Sequence, residues 1–302
     1  MMAYKSSRRV DVGAVVGAPF AAMQWRLLLL WMLLLLAPTL VATLPLLMSL
    51  GGLLDHSTLA HVWARQFDVV MAGDVIHTLG QQHGALHGAA LASVLLVVLL
   101  LPWLNGMVVA SGRAARVLGF GALLQGGLGE YGRMFRLLLW SLPVYALAGY
   151  LAQVGMDRAD DRADLAVLES QAMAAQHLAW WFDGLLVVLA QCWLESARAA
   201  FIADGSLRAA TVAMWRGLAQ VARRPFSTLL TYLLITAIGL AIALGLGLAR
   251  AHTLAVGTSG LLLAFLLSQL VVIVLGWMRI ARLFALAAVA RSLGGSRRSG
   301  LV

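Results

Sequence analysis

Six long runs of apolar residues, separated by shorter polar segments, dominate the pattern along this chain. They cover approximately residues 27–50, 88–112, 137–155, 178–197, 226–249 and 254–278. Each run is near the length of about 20 residues that a helix needs to cross about 30 Å of hydrocarbon. Backbone polar groups must be hydrogen-bonded inside lipid, and the runs lack the alternation of barrel strands. The pattern predicts an all-α membrane protein with six transmembrane helices.

The basic residues predict the orientation of these helices. Eighteen of the 22 lie before the first run, between the second and third, between the fourth and fifth, or after the sixth. Basic residues are retained on the cytoplasmic side, so we predict a multi-pass protein of a bacterial inner membrane with both termini in the cytoplasm. Residues 285–302 are predicted to form a flexible basic cytoplasmic tail.

The basic residues also indicate which molecules the protein binds. A net charge of +9 favours anionic lipid headgroups at the cytoplasmic face. It does not favour nucleic acid, because the arginines are dispersed among membrane spans. We predict one transmembrane domain over residues 1–302, since no loop is long enough for a soluble domain. A single cysteine, Cys192, excludes an intramolecular disulfide.

An internal repeat is predicted from two similar segments. Residues 95–105, LLVVLLLPWLN, and 185–195, LLVVLAQCWLE, match at seven of eleven positions without a gap, and 271–279, VVIVLGWMR, is a looser third copy. Basic stretches at 113–139 and 205–230 lead into the following spans, and residues 12–26 are a third candidate. We predict three tandem two-span repeats, each preceded by a cytoplasmic interfacial helix, around an axis along the membrane normal. The alternative is that Leu- and Val-rich spans are similar by composition alone.

Residues 195–248 contain a span, a short basic helix, the sequence Arg223-Arg224-Pro225 and another span. This arrangement resembles a module of an uncharacterised bacterial family of six-span membrane proteins. It is also distantly similar to the membrane domain attached to some glycerophosphoryl diester phosphodiesterases. Residues 119–151 resemble the middle of such proteins. The resemblance implies the fold and the membrane location, and no catalytic residue is transferred because the chain lacks the phosphodiesterase domain.

Polar residues within spans are the main candidates for a functional site, since burying them in lipid is costly. Aligning the segments on Trp103, Trp193 and Trp277 places Asn105, Glu195 and Arg279 at equivalent positions, each two residues after its tryptophan. If the repeats surround one axis, Glu195 and Arg279 would form an ion pair, with Asn105 completing the hydrogen bonds. The alternative is that these side chains extend to the interface and that Glu195 pairs with Arg198.

A second candidate is a histidine pair in the first outer loop. His83 and His87 are separated by four residues, a spacing that places two imidazoles on one face of a helix, as a metal site requires. Gly84 weakens such a helix, and no Glu lies between them as in a metalloprotease motif. A solvated loop that binds metal weakly or not at all is the simpler interpretation.

The sequence therefore favours a non-enzymatic membrane component that handles lipid or transports a substrate. A structural subunit of an envelope complex is the alternative, with possible protein partners in the membrane. An intramembrane enzyme acting on lipid is a third class, but no catalytic constellation can be assembled from these residues. No cofactor motif is recognised.

Reporter fusions test the predicted topology. Fusions at Gly73 and Ala163 should report a periplasmic location, and fusions at Arg116, Ser206 and Ser299 a cytoplasmic one, because the basic segments stay in the cytoplasm. A cytoplasmic signal from either outer loop would contradict the charge argument.

Overall fold

A computed structural model describes residues 11–54, 73, 77, 80, 83–114, 116–166, 168–253 and 257–294. This part of the chain is helical and contains no strand. We number its helices in chain order. They are α1 (Val12–Ala21), α2 (Trp25–Leu54), α3 (His83–Arg113), α4 (Phe120–Asp164), α5 (Glu169–Ala203), α6 (Ala210–Arg223), α7 (Pro225–Ala251) and α8 (Gly257–Gly294).

Six of these helices, α2, α3, α4, α5, α7 and α8, are long and apolar enough to cross a membrane. The predicted all-α, six-span fold is confirmed. Neighbouring spans form hairpins, with α2 packed on α3, α4 on α5 and α7 on α8. The short helices α1 and α6 pack against α8 and α5 respectively.

The second predicted interfacial helix is not a separate helix. The basic stretch of residues 120–136 runs directly into the third span as a single helix, α4. By contrast, α6 ends at Arg223, the backbone of Arg224 is not helical (φ −137°, ψ 60°), and Pro225 begins α7. Proline at the first position of a helix marks such a boundary. The sequence before residue 137 has no equivalent break, so the helix continues.

The predicted flexible tail is wrong for residues 285–294. Helix α8 continues to Gly294, and Ala285, Leu286 and Val289 are fully buried. The segment 284–290, FALAAVA, is apolar with no helix-breaking residue, and α1 covers it. Residues 295–302 lie outside the described part of the chain.

The buried core lies at one end of the bundle, where α3 and α5 end and α4 and α7 begin. We call this the basic end, because it carries most of the arginines. Fully buried residues here include Leu104 and Met107 of α3, Phe201 of α5, and Ile280 and Leu283 of α8. Toward the other end, side chains such as Leu261, Leu262 and Phe265 of α8 are exposed. The hairpins therefore pack against each other chiefly at the basic end.

Three tryptophan side chains connect consecutive parts of the bundle there. The indole Nε1–H of Trp103 donates to the carbonyl of Leu124 at 3.2 Å, and that of Trp193 donates to Met214 at 2.9 Å. In both cases donor and acceptor are 21 residues apart. Trp277 of the last span donates to Pro19 of α1 at 2.9 Å. The last span thus contacts the first helix, and the series of contacts closes into a ring.

The face of α6 expected at the lipid interface contacts protein instead. Ala210 and Met214, together with the preceding Leu207, are buried, whereas Trp215 and Arg223 are exposed. Gly217 allows the close approach to α5, because a Cβ added there would lie 2.6 Å from the backbone nitrogen of Ala197. Helix α6 is amphipathic as the sequence predicts, but its apolar face packs on protein rather than on lipid.

Replacing Gly217 with alanine should destabilise the protein by about 1–2 kcal/mol. The added methyl group must displace backbone, a cost of about 1–3 kcal/mol, which exceeds the gain of about 1 kcal/mol in helix propensity. The measurement is chemical or thermal unfolding of the purified protein. Gly245→Ala in α7 is the matched control, since its Cβ would meet nothing within 4 Å. Equal stability of the two variants would contradict the close contact.

Candidate functional site

Four charged side chains lie where α5 and α8 pack together at the basic end. Glu195 and Arg198 are one turn apart on α5, and Arg279 and Arg282 are one turn apart on α8. Residues three apart on a helix lie on neighbouring parts of its surface. The packing of α5 on α8 therefore brings the two pairs into one region. We call these four residues the arginine cluster.

Glu195 forms its ion pair with Arg282. The Nη2 of Arg282 donates to Oε1 of Glu195 at 2.7 Å, with the two side chains 10% and 2% exposed. The Nη1 of Arg282 donates to the hydroxyl of Thr236 on α7 at 3.1 Å. Its guanidinium lies 4.9 Å from the ring centroid of Tyr232, also on α7. Arg282 is thus held by two neighbouring helices.

The prediction that Glu195 forms its ion pair with Arg279 is wrong, because the partner is Arg282. The Arg279 guanidinium lies 5.9 Å from the ring centroid of Trp31 on α2, and Arg282, one turn further along α8, takes the carboxylate. The reason is that α8 packs against α2 as well as against α5 and α7, and the two arginines point to different neighbours. The sequence contains one feature that singles out Arg282. It follows Trp277 by five residues, as Arg198 follows Trp193.

Asn105 does not join this ion pair. It is buried, and its Nδ2 donates to the carbonyl of Leu101, one turn earlier in its own helix, at 2.8 Å. Its Oδ1 is buried with no hydrogen-bond partner among the described residues. The predicted trio is therefore not connected by hydrogen bonds, although all three members lie in the tightly packed end of the bundle.

Arg198 is the most unusual member of the cluster. It is only 7% exposed, yet it forms no ion pair or hydrogen bond with any residue that the structure describes. Arg279 is partly buried, and its Nε has no partner within the described ranges. It is close enough to Arg198, Glu195 and Arg282 to interact with each of them electrostatically.

The cluster therefore has unequal charges. Arginine stays protonated in proteins, so three guanidinium groups face one carboxylate. Once Arg282 is paired with Glu195, two positive charges have no anionic partner among the described residues. Such charges are costly at a site shielded from water. The arrangement is suited to accept an anion.

Other arginines at the basic end have different surroundings. Arg113 and Arg133 both contact Glu130, at 2.6 and 2.8 Å, with side chains 21% and 24% exposed. Arg216 binds Asp204 at 2.6 Å. The hydrogen bonds from Arg216 and Ser206 lower the pKa of Asp204 from 3.8 to about 2. These arginines have a carboxylate partner and side chains more exposed than that of Arg198, which is 7% exposed and forms no ion pair with the described residues.

The histidine pair lies at the start of α3. This helix begins at His83, and His87 is exposed on its first turn. The described residues include no group of three His, Cys, Asp or Glu side chains that could hold a metal ion. The His83 side chain lies outside the described part, so the metal site stays a prediction.

No protein-family model, curated protein or solved structure matches this chain. The resemblance to uncharacterised six-span proteins therefore stays an expectation.

A double-mutant cycle tests the Glu195–Arg282 pair. Glu195→Gln alone leaves the Arg282 guanidinium buried without its anion and should cost about 3–5 kcal/mol of stability. Combining it with Arg282→Met should cost less than the sum of the single changes, because only interacting residues depart from additivity. Unfolding of the purified variants measures this. The matched cycle of Glu195→Gln with Arg279→Met should show a smaller coupling, and a larger one would restore the pair that the sequence suggested.

Proposed function

We propose that this protein is a non-enzymatic membrane component that handles lipid, and that the arginine cluster receives an anionic headgroup. The observation that carries the proposal is the surplus of buried positive charge. Arg198 and Arg279 lack anionic partners in the described chain, and Arg198 is almost completely buried. A membrane supplies anionic lipid headgroups at its surface.

The position of the cluster supports this ligand. Arg198 lies five residues before Ala203, the last residue of α5. At about 1.5 Å per residue, this places it about 8 Å from the end of the helix. A headgroup near the membrane surface can reach this depth while its acyl chains remain in the bilayer.

The alternative is a structural subunit of an envelope complex. A partner protein could neutralise the same two arginines with carboxylates. The exposed apolar side chains of α8, including Leu261, Leu262 and Phe265, offer a surface for another membrane helix. Because lipid would cover the same surface in a bilayer, this observation alone does not favour a protein partner.

We also propose the inner membrane as the location, with both termini in the cytoplasm, and a repeat of three two-span units. Equal separations between tryptophan donor and carbonyl acceptor, in Trp103–Leu124 and Trp193–Met214, support the repeat. Kinship with the uncharacterised six-span family is part of the same proposal.

Native mass spectrometry of protein purified with its membrane lipids tests the function. We expect one anionic lipid to remain bound at fixed stoichiometry, and the double variant Arg198→Gln, Arg279→Gln to lose it. Arg223→Gln is the control, since it removes a positive charge from an exposed position on α6. A stoichiometric protein in place of lipid would favour the subunit. Lipid retained equally by all three proteins would contradict a role for the cluster.

A further inference from the structure

We propose that Arg198 and Arg279 form a phosphate-binding pair for a phosphomonoester, while Arg282 is a positioning residue that does not bind the ligand. This inference rests on the proposed function and specifies its ligand and the division of roles. It is carried by the hydrogen bonds and burial of the three guanidinium groups.

The terminal nitrogens of Arg282 are both occupied, and only its Nε, which is buried, has no hydrogen-bond partner among the described residues. One terminal nitrogen binds Glu195 at 2.7 Å, the other binds Thr236 at 3.1 Å, and the guanidinium stacks on Tyr232. A ligand would have to break a buried ion pair to reach these donors. Arg282 instead anchors Oε1 of Glu195, and this one carboxylate, which also interacts electrostatically with Arg279, cannot balance three guanidinium charges.

Arg198 and Arg279 have their donors available. Neither makes a hydrogen bond to the described residues, and Arg198 is more than nine-tenths buried. The guanidinium of Arg279 lies over the ring of Trp31, a contact that fixes its plane without using an N–H group. Two guanidinium groups on neighbouring helices, close enough to interact electrostatically, therefore have donors that no described residue occupies.

Charge and geometry favour a phosphomonoester over other anions. A phosphomonoester carries a charge of about −1.5 to −2 near neutral pH and has three acceptor oxygens, which suits two guanidinium forks. A carboxylate or a phosphodiester carries one negative charge and would leave the other arginine uncompensated. The terminal phosphate of a lipid and free inorganic phosphate share this chemistry, so the experiment must separate them.

Stability measurements distinguish binding from structural arginines. In the absence of ligand, Arg198→Met and Arg279→Met should each leave the melting temperature unchanged or raise it, because each removes an uncompensated buried charge. Arg282→Met should lower it, because it leaves Glu195 without its partner. A lowered melting temperature for both Arg198→Met and Arg279→Met would show that these residues are structural and would overturn the proposal.

Binding is measured on the full chain in nanodiscs of phosphatidylcholine, by calorimetry and by the phosphorus NMR signal of the ligand. The probes are a short-chain phosphatidic acid, a short-chain phosphatidylglycerol, decanoate and inorganic phosphate. We expect phosphatidic acid to bind most tightly. Arg198→Gln and Arg279→Gln should each weaken it by about ten- to a hundredfold, since each removes charge-assisted hydrogen bonds. Arg198→Lys should give an intermediate loss, because the charge remains without the fork, and Arg223→Gln should bind as the unmodified protein does.

The other outcomes separate the two proposals. If phosphatidylglycerol and decanoate bind as tightly as phosphatidic acid and depend equally on Arg198, lipid handling stands and the phosphomonoester assignment is overturned. If inorganic phosphate binds as tightly as phosphatidic acid, the phosphate site stands and the lipid function is overturned. If Arg223→Gln weakens binding as much as Arg198→Gln, attraction is non-specific and both fail.

Discussion

The packing of α3, α5 and α8 at the basic end is the contact on which the rest of the structure depends. Away from this end, side chains of α8 such as Leu261 and Phe265 are exposed. Near it, Met107, Phe201 and Leu283 are fully buried. Inside a bilayer, lipid tails are as apolar as leucine, so the hydrophobic effect does not hold spans together there. Close packing and hydrogen bonds must do so, and both are concentrated at this end.

The indole hydrogen bonds and the small residues act together in this packing. Trp193 donates to Met214, and Gly217, one turn later on α6, lets that helix approach α5 within backbone contact. Trp103 and Gly127 repeat the arrangement between α3 and α4, where a Cβ on Gly127 would lie 2.6 Å from the Trp103 ring. An indole N–H can donate a hydrogen bond to a backbone carbonyl of another helix only if the two helices lie this close. The glycine and the tryptophan therefore depend on each other.

The arginine cluster lies within this packed region, which gives its charges their importance. An arginine on the exposed surface, such as Arg223, is solvated and needs no partner. Arg198 is only 7% exposed and lies in the part of α5 where Phe201 and Leu194 are fully buried. The structure compensates one of the three guanidinium groups, through Glu195, and keeps Arg279 oriented on Trp31. The arginine excess predicts the orientation of the chain. Where close packing buries these arginines, they also form a candidate anion site.

The sequence by itself determined the six spans, because length and apolar composition decide whether a helix can cross a bilayer. It also determined the equivalent positions of Trp103, Trp193 and Trp277, which direct side chains to similar contacts, and it placed Glu195 and Arg279 in the packed region. It could not determine which arginine binds Glu195, since Arg279 and Arg282 are one turn apart and only the positions of α2 and α7 separate them. Nor could it place residues 285–289 in the core, because their burial depends on α1, whose sequence lies more than 260 residues earlier. The periodicity of each helix follows from its local sequence, whereas contacts between distant helices are decided only when the helices pack.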